Sequence, residues 1–217
     1  MHHGNPKPIL AVDCSTTHAT LALQLCDACY LAHVPHGQQA AQLVPTMDAL
    51  LKAHSVEYAQ LGHILTTIGP GSFTGLRIAL ACVHGVALAH GIAVKSTTSL
   101  ASVAWAISAE TDAPARFTVA LNAGKGEVFI QDFYQETGIP QAASEIALVQ
   151  PDALLAHPIV YGNTLHADDP HYRTPLAQTL CTVAGQLPEQ PLCDLVPLYI
   201  RPPDAKPGTL PAWLQSA

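Results

Sequence analysis

The apolar positions of this chain follow two periods. Pro8 to Asp13 is a short apolar run ending in an acid; Cys14-Ser15-Thr16-Thr17 is polar, and Ala19 to Leu25 alternates. That pattern predicts strand, polar turn, strand. From Gln39 to Ala53 the residues Leu43, Val44, Met47, Leu50 and Leu51 recur at helical spacing and predict a helix with one apolar face. His63 to Ile68 reads as a buried strand, and residues 69–75, Gly-Pro-Gly-Ser-Phe-Thr-Gly, read as a loop before a helix from Leu76 to His90. That second helix is apolar nearly all round, with Arg77, His84 and His90 as its main polar groups. It must bury two faces, one on a sheet and the other on something else.

Gly91 ends this helix, Ile92 to Val94 makes a short strand, and Thr98 or Ser99 caps a helix running to about Ile107. Asp112 to Pro114 reads as a linker. Phe117 to Leu121 and Glu127 to Tyr134 alternate around residues 122–126 and predict a hairpin, and Ile159 to Tyr161 predicts a further strand. Pro202 to Pro207 ends regular structure. Strands and helices alternate in both halves, which favours an α/β fold and fits helix bundles and all-β folds poorly.

Composition narrows the function classes. The chain has 217 residues, 49% hydrophobic and only 12% charged, enough to bury a sizeable core and too little charged for a disordered chain. Such a sparsely charged surface leaves apolar area exposed, which points to a partner. Nine Lys and Arg against a net charge of -7 leave no basic footprint of the kind that neutralises a nucleic-acid phosphate backbone. The apolar run from Ile9 to Val12 is short of a signal sequence, so a cytoplasmic protein with reduced thiols is expected. Its six cysteines include one C-x-x-C, Cys26 and Cys29, with His33 and His36 nearby; a structural zinc site wants a second such pair, so two cysteines near a hairpin turn is the favoured reading.

Chemistry-bearing patterns are few. Three glycines and a proline between a strand and a helix expose backbone N–H groups that attract anions, although the loop has neither a Walker lysine nor G-x-G-x-x-G spacing, and such turns also serve tight packing. Asp13, Ser15 and Thr16 offer a carboxylate and hydroxyls beside it, or form an ordinary acidic turn. Together, Asp13, Ser15, Thr16, Gly69, Gly71, Ser72 and Gly75 form a candidate pair of degenerate phosphate-binding loops at adjacent strand ends. The twelve histidines form no H-E-x-x-H or H-x-x-x-H on a predicted helix, and Ser15, Ser72 and Ser99 have no G-x-S-x-G context. No catalytic residue and no metal site is therefore assigned.

The strings Ile9 to Thr17, Ile68 to Ala79, Asn122 to Phe129 and Pro197 to Arg201 together resemble the TsaB (YeaZ) family, in that family's order and across nearly the whole chain. The resemblance implies an actin-like (ASKHA, ribonuclease H-like) α/β fold of two subdomains, residues 1–108 and 109–217, the smaller second one ending in a tail that packs back on the first. It implies a non-catalytic partner of the paralogue TsaD, working with the ATPase TsaE in placing threonylcarbamoyl on tRNA adenosine beside the anticodon. No tightly bound cofactor is expected, with ATP or ADP held only in complex with TsaD and TsaE; alone, the chain is expected to form a homodimer. Where TsaD-like enzymes carry H-x-x-x-H, the chain has Ser99 and Val103, and neither can replace an imidazole as metal ligand. The family's usual aspartate-threonine-serine is Asp13-Cys14-Ser15, and its aspartate-alanine-arginine is Asn122-Ala123-Gly124.

In the family the two helices of the first subdomain pair with TsaD. Here that places the interface on Leu43, Met47, Leu50, Leu51, Leu76, Leu80, Val83 and Ala87. Two other functions are weighed against this one. An active phosphotransferase of the same fold would want a glycine pair in the second domain and a catalytic carboxylate, where Gly162 stands alone and Asn122 replaces the acid. A peptidase acting on TsaD would want a nucleophile-base pair or a metal motif.

Overall fold

The computed structural model describes residues 6–201, and the expected proline-rich stop at 202–207 lies outside them. In chain order the elements are β1 (Ile9–Asp13), β2 (Ala19–Leu25), β3 (Ala28–Val34), α1 (Gln39–Ala53), β4 (His63–Thr67), α2 (Phe73–His90), β5 (Ala93–Thr97) and α3 (Ser99–Ser108). They are followed by β6 (Arg116–Gly124), β7 (Glu127–Glu136), β8 (Ile139–Ala142), β9 (Ala147–Val149), β10 (Val160–Gly162), α4 (Ala177–Thr182) and β11 (Glu189–Gln190). The α/β class expected from the sequence is the class found.

The first sheet has the order β11-β5-β4-β1-β2-β3. Strands β1 to β3 form an antiparallel meander, β4 and β5 add parallel to β1, and β11 closes the far edge antiparallel. Side chains alternate across the strands. Leu10 and Val12 of β1, Leu21 and Leu23 of β2, and Ile64 of β4 point to one face, where α1 and α2 cover them. Ala11, Ala22 and Leu65 point to the other, where α4 packs through Ala177, Leu180 and Cys181. The two alanines allow that short helix a close approach.

The second sheet has the order β10-β6-β7-β8, with β9 also paired to β7. The β6–β7 hairpin turns at Lys125 and Gly126, both at positive φ, as two-residue hairpin turns require. Helix α3 packs Leu100, Val103, Ala104 and Ile107 against Phe117, Val119, Phe129, Phe133 and Tyr161 of this sheet. Chain order and spatial grouping therefore differ: α3 joins the second sheet, whereas α4 and β11 return from the second half to the first.

Helix α2 is capped at Ser72, whose hydroxyl accepts from the Gly75 N–H, and stops at left-handed Gly91. It is the one helix among the described residues whose length and composition would suit a membrane span, but its inner face is part of the core. That core corrects the interface read from the sequence. Leu43, Met47, Leu50, Leu51, Leu76, Leu80, Val83 and Ala87 are none of them more than 7% exposed. They are the face of α1 and α2 turned to the sheet, since periodicity marks an apolar face without saying what covers it. The outward faces carry Ala41, Val44 and Pro45 on α1 and Ala81, Gly85 and Leu88 on α2, all exposed.

The returning segment is tied down by polar contacts. His84 on α2 places Nδ1 2.8 Å from the Leu80 carbonyl oxygen and Nε2 2.7 Å from that of Leu192. Lys95 donates to the Ala184 carbonyl at 2.8 Å, and His63 meets Glu189 at 3.0 Å. Replacing His84 by Ala removes both of its contacts and is expected to lower the unfolding free energy by about 1–3 kcal/mol, measured by urea denaturation.

Candidate functional site

The parallel strands of both sheets end at one cleft. Residues 15–17 follow β1, 70–73 follow β4, 121–124 end β6 and Asn163 follows β10, so the cleft occupies the carboxyl ends where open α/β sheets place their ligands. Its volume is about 890 Å³. The remaining wall comes from Arg77 on α2, Phe129 on β7, Tyr172, and Leu198 to Arg201, where the Leu198 N–H donates to the Ile68 carbonyl at 2.7 Å.

Of the candidate phosphate-binding residues, Ser15, Thr16, Gly71 and Ser72 line this cleft, while Asp13, Gly69 and Gly75 do not contribute to its wall. The reason is a close approach between two loops. The Ser72 N–H donates to the Ser15 carbonyl at 2.7 Å. A Cβ on Gly71 would lie 2.1 Å from the Ser15 carbonyl oxygen, and one on Gly75 2.2 Å from that of Cys14. These glycines serve backbone packing, and the N–H groups of Ser72 and Gly75 are already taken.

Asp13 is turned inward. Its carboxylate accepts from the Ser15 N–H at 2.7 Å, the Ser15 hydroxyl at 3.0 Å and the Thr67 hydroxyl at 3.1 Å. Burial pushes its pKa above the ordinary value of 3.8, against these hydrogen bonds, which pull it down. Burial likewise pushes up the thiols of Cys14 and Cys29, which disfavours thiolate chemistry there. Cys26 is exposed in the β2–β3 turn, and no group of three metal-ligating side chains occurs among the described residues. Ser99 and Val103 are both buried, Val103 in the apolar core under the second sheet.

Further polar groups at the cleft, Arg77, Asn122, Asn163 and Arg201, were not assigned to a site from the sequence. Arg77 donates from Nε to the Tyr199 hydroxyl at 2.8 Å and lies over the Phe73 ring, 3.8 Å from its centroid. Arg201 pairs with Glu127. Asn122 N–H donates to Asn163 Oδ1 at 2.8 Å, and Gly124 N–H to Asn122 Oδ1 at 2.7 Å. The one signal available was the pair of strings containing Arg77 and residues 197–201; their meeting is a tertiary fact.

With this geometry in place, comparison with known proteins gives the family. The family model described as "tRNA N6-adenosine threonylcarbamoyltransferase" (TsaD) matches residues 34–183. The chain belongs to this family, on its TsaB (YeaZ) side. It is 27% identical over 150 residues to the tRNA threonylcarbamoyladenosine biosynthesis protein TsaB of Escherichia coli, covering 66% of this chain and 63% of that one. The TsaB of Buchnera aphidicola is 31% identical over 104 residues, 46% of this chain and 47% of its own length. The chain thus spans less than two thirds of these curated relatives. The solved structure of YeaZ from Pseudomonas aeruginosa superposes with a TM-score of 0.73 at 24% identity, covering 90% of this chain and all of that one. The fold is accordingly the α/β fold that YeaZ adopts.

Two substitutions test the loop contact. Gly75→Ala sets a methyl group against an unyielding backbone oxygen and is expected to cost about 1–3 kcal/mol or more in stability, read by denaturant titration. Asp13→Asn keeps an acceptor for Ser15 and Thr67 and removes the buried charge. Because the folded pKa is raised, the wild-type carboxyl contributes most below its unfolded value and loses that contribution as pH rises through the folded one. The Tm of Asp13→Asn is therefore expected to exceed that of the wild type at neutral pH, the gap closing on acidification; a gap of opposite sign would mean that the hydrogen bonds outweigh burial.

Proposed function

We propose that the chain is a non-catalytic partner of a TsaD-type transferase in the formation of threonylcarbamoyladenosine on tRNA. In this reading it works with TsaD and TsaE in the cytoplasm, binds no tRNA alone and self-associates when TsaD is absent. The names of two relatives, each a TsaB protein of tRNA threonylcarbamoyladenosine biosynthesis, support the pathway.

The observation that carries the partner role is the outward face of α1 and α2. Leu88 is 78% exposed and Val44 42%, with Ala81, Gly85, Ala41 and Pro45 around them and no charged residue among the six. Small side chains let a partner helix approach closely, and an uncharged apolar patch of this kind is costly to leave in water. A helical interface of standard size would bury about 1,200–2,000 Å² in total.

Site chemistry supports the non-catalytic half. Asp13 spends its carboxylate on Ser15 and Thr67, Asn122 stands where an acid would serve phosphotransfer, and the positions matched to a metal-binding histidine pair are a buried serine and a core valine. ATP or ADP, in this reading, is held only in the complex with TsaD and TsaE.

Light scattering behind size exclusion, on the chain with and without a TsaD-type protein, tests the proposal. A one-to-one complex is expected, and Leu88→Glu with Ala81→Glu is expected to abolish it at unchanged Tm. Met47→Asp would instead unfold the chain, because Met47 is fully buried. A complex indifferent to the outward substitutions would move the interface elsewhere; transferase or kinase turnover by the isolated chain would overturn the non-catalytic reading.

A further inference from the structure

The cleft at the strand ends has a charge pattern that partner binding does not use. Its described lining contains two arginines and no Asp or Glu, in a chain with sixteen acids and nine Lys and Arg. Arg201 is neutralised by Glu127, which leaves Arg77 as the unopposed cation. Arg77 spends Nε on Tyr199 and lies over the Phe73 ring, so its side chain is held in place while both terminal nitrogens keep their donors free of any hydrogen bond among the described residues. Guanidinium groups held this way present a planar fork suited to a carboxylate, sulfonate or phosphate.

The opposite wall is donor-rich as well. Asn122 and Asn163 each commit their amide oxygen to a backbone N–H, which fixes the sense of both amides and leaves their NH₂ groups as the available edge. Between the two polar walls lie Leu121, Phe129, Leu198 and Tyr199, an apolar bed for a flat ring. The Asp13 carboxylate, which could have held a hydrated divalent cation, is buried behind the loop.

We propose that this cleft binds a small organic anion with a flat apolar body, its charged group gripped by Arg77 and its far edge facing the Asn122 and Asn163 amides, without a divalent cation. The anion is held by side chains across the cleft rather than by the glycine loop, whose Ser72 and Gly75 N–H groups are already engaged.

The test uses 8-anilinonaphthalene-1-sulfonate as the anionic probe and N-phenyl-1-naphthylamine, its uncharged counterpart, both in EDTA and followed by fluorescence titration. Saturable one-to-one binding of the sulfonate is expected, tighter than that of the neutral amine. Arg77→Gln is expected to weaken the sulfonate about tenfold or more and leave the amine unchanged. Asn163→Asp, which keeps the acceptor for the Asn122 N–H and replaces the donor by a charge, is expected to do the same. Leu155→Glu, at a position 90% exposed and outside both the cleft and the helical face, is expected to change neither. Equal affinity for the two probes, a sulfonate affinity indifferent to both cleft variants, or a requirement for Mg²⁺ would overturn the proposal. Since the partner complex is measured separately through the Leu88 face, failure here leaves that reading standing.

Discussion

Two carbonyl oxygens, those of Cys14 and Ser15, determine how the two halves of the first sheet meet at its carboxyl edge. The glycine loop lies against them without side chains, and the Ser72 N–H closes the contact. From that single close approach follow the starting point of α2, the direction in which its inner face enters the core and the inward turn of Asp13. A loop whose composition suggests anion binding is thereby used for packing, and the cleft beside it is left to side chains from elsewhere.

Helix α2 reads as apolar on all sides because two different demands fall on it. Its inner residues, Leu76, Ala79, Leu80, Val83 and Ala87, complete the core over β1, β2 and β4. Its outer residues Ala81, Gly85 and Leu88 are small or aliphatic and take no part in that core. Hydrophobicity alone reported the sum of these demands, and only the burial of each residue separates the monomer's share from what remains for a partner.

Much of the fold was legible where contacts are local. The strand-turn-strand opening, the helices over 39–53 and 76–90 and the 122–126 hairpin follow from period and turn chemistry within a few residues. The interface residues were misplaced because Met47 and Val83 carry the same pattern whether a sheet or a partner covers them. The cleft was half legible: Ser15, Thr16, Gly71 and Ser72 could be proposed from one stretch of chain each. Asn163, Tyr172 and the meeting of Arg77 with Tyr199, 122 residues away, depend on tertiary closure that no local signal encodes. The same holds for α4 and β11, whose six- and two-residue lengths fall below what periodicity can register.

The return of residues 177–195 to the first sheet also orders events in time. Until Ala177, Leu180 and Val183 arrive, the face bearing Ala11, Ala22 and Leu65 lacks most of its cover, although these residues belong to the first third of the chain. A ribosome therefore displays an incomplete N-terminal sheet throughout the synthesis of the second sheet, and the segment that shields it is made only afterwards. Folding of the first half is thus licensed by residues 177–195, so truncation before that segment would leave a hydrophobic surface on the first sheet.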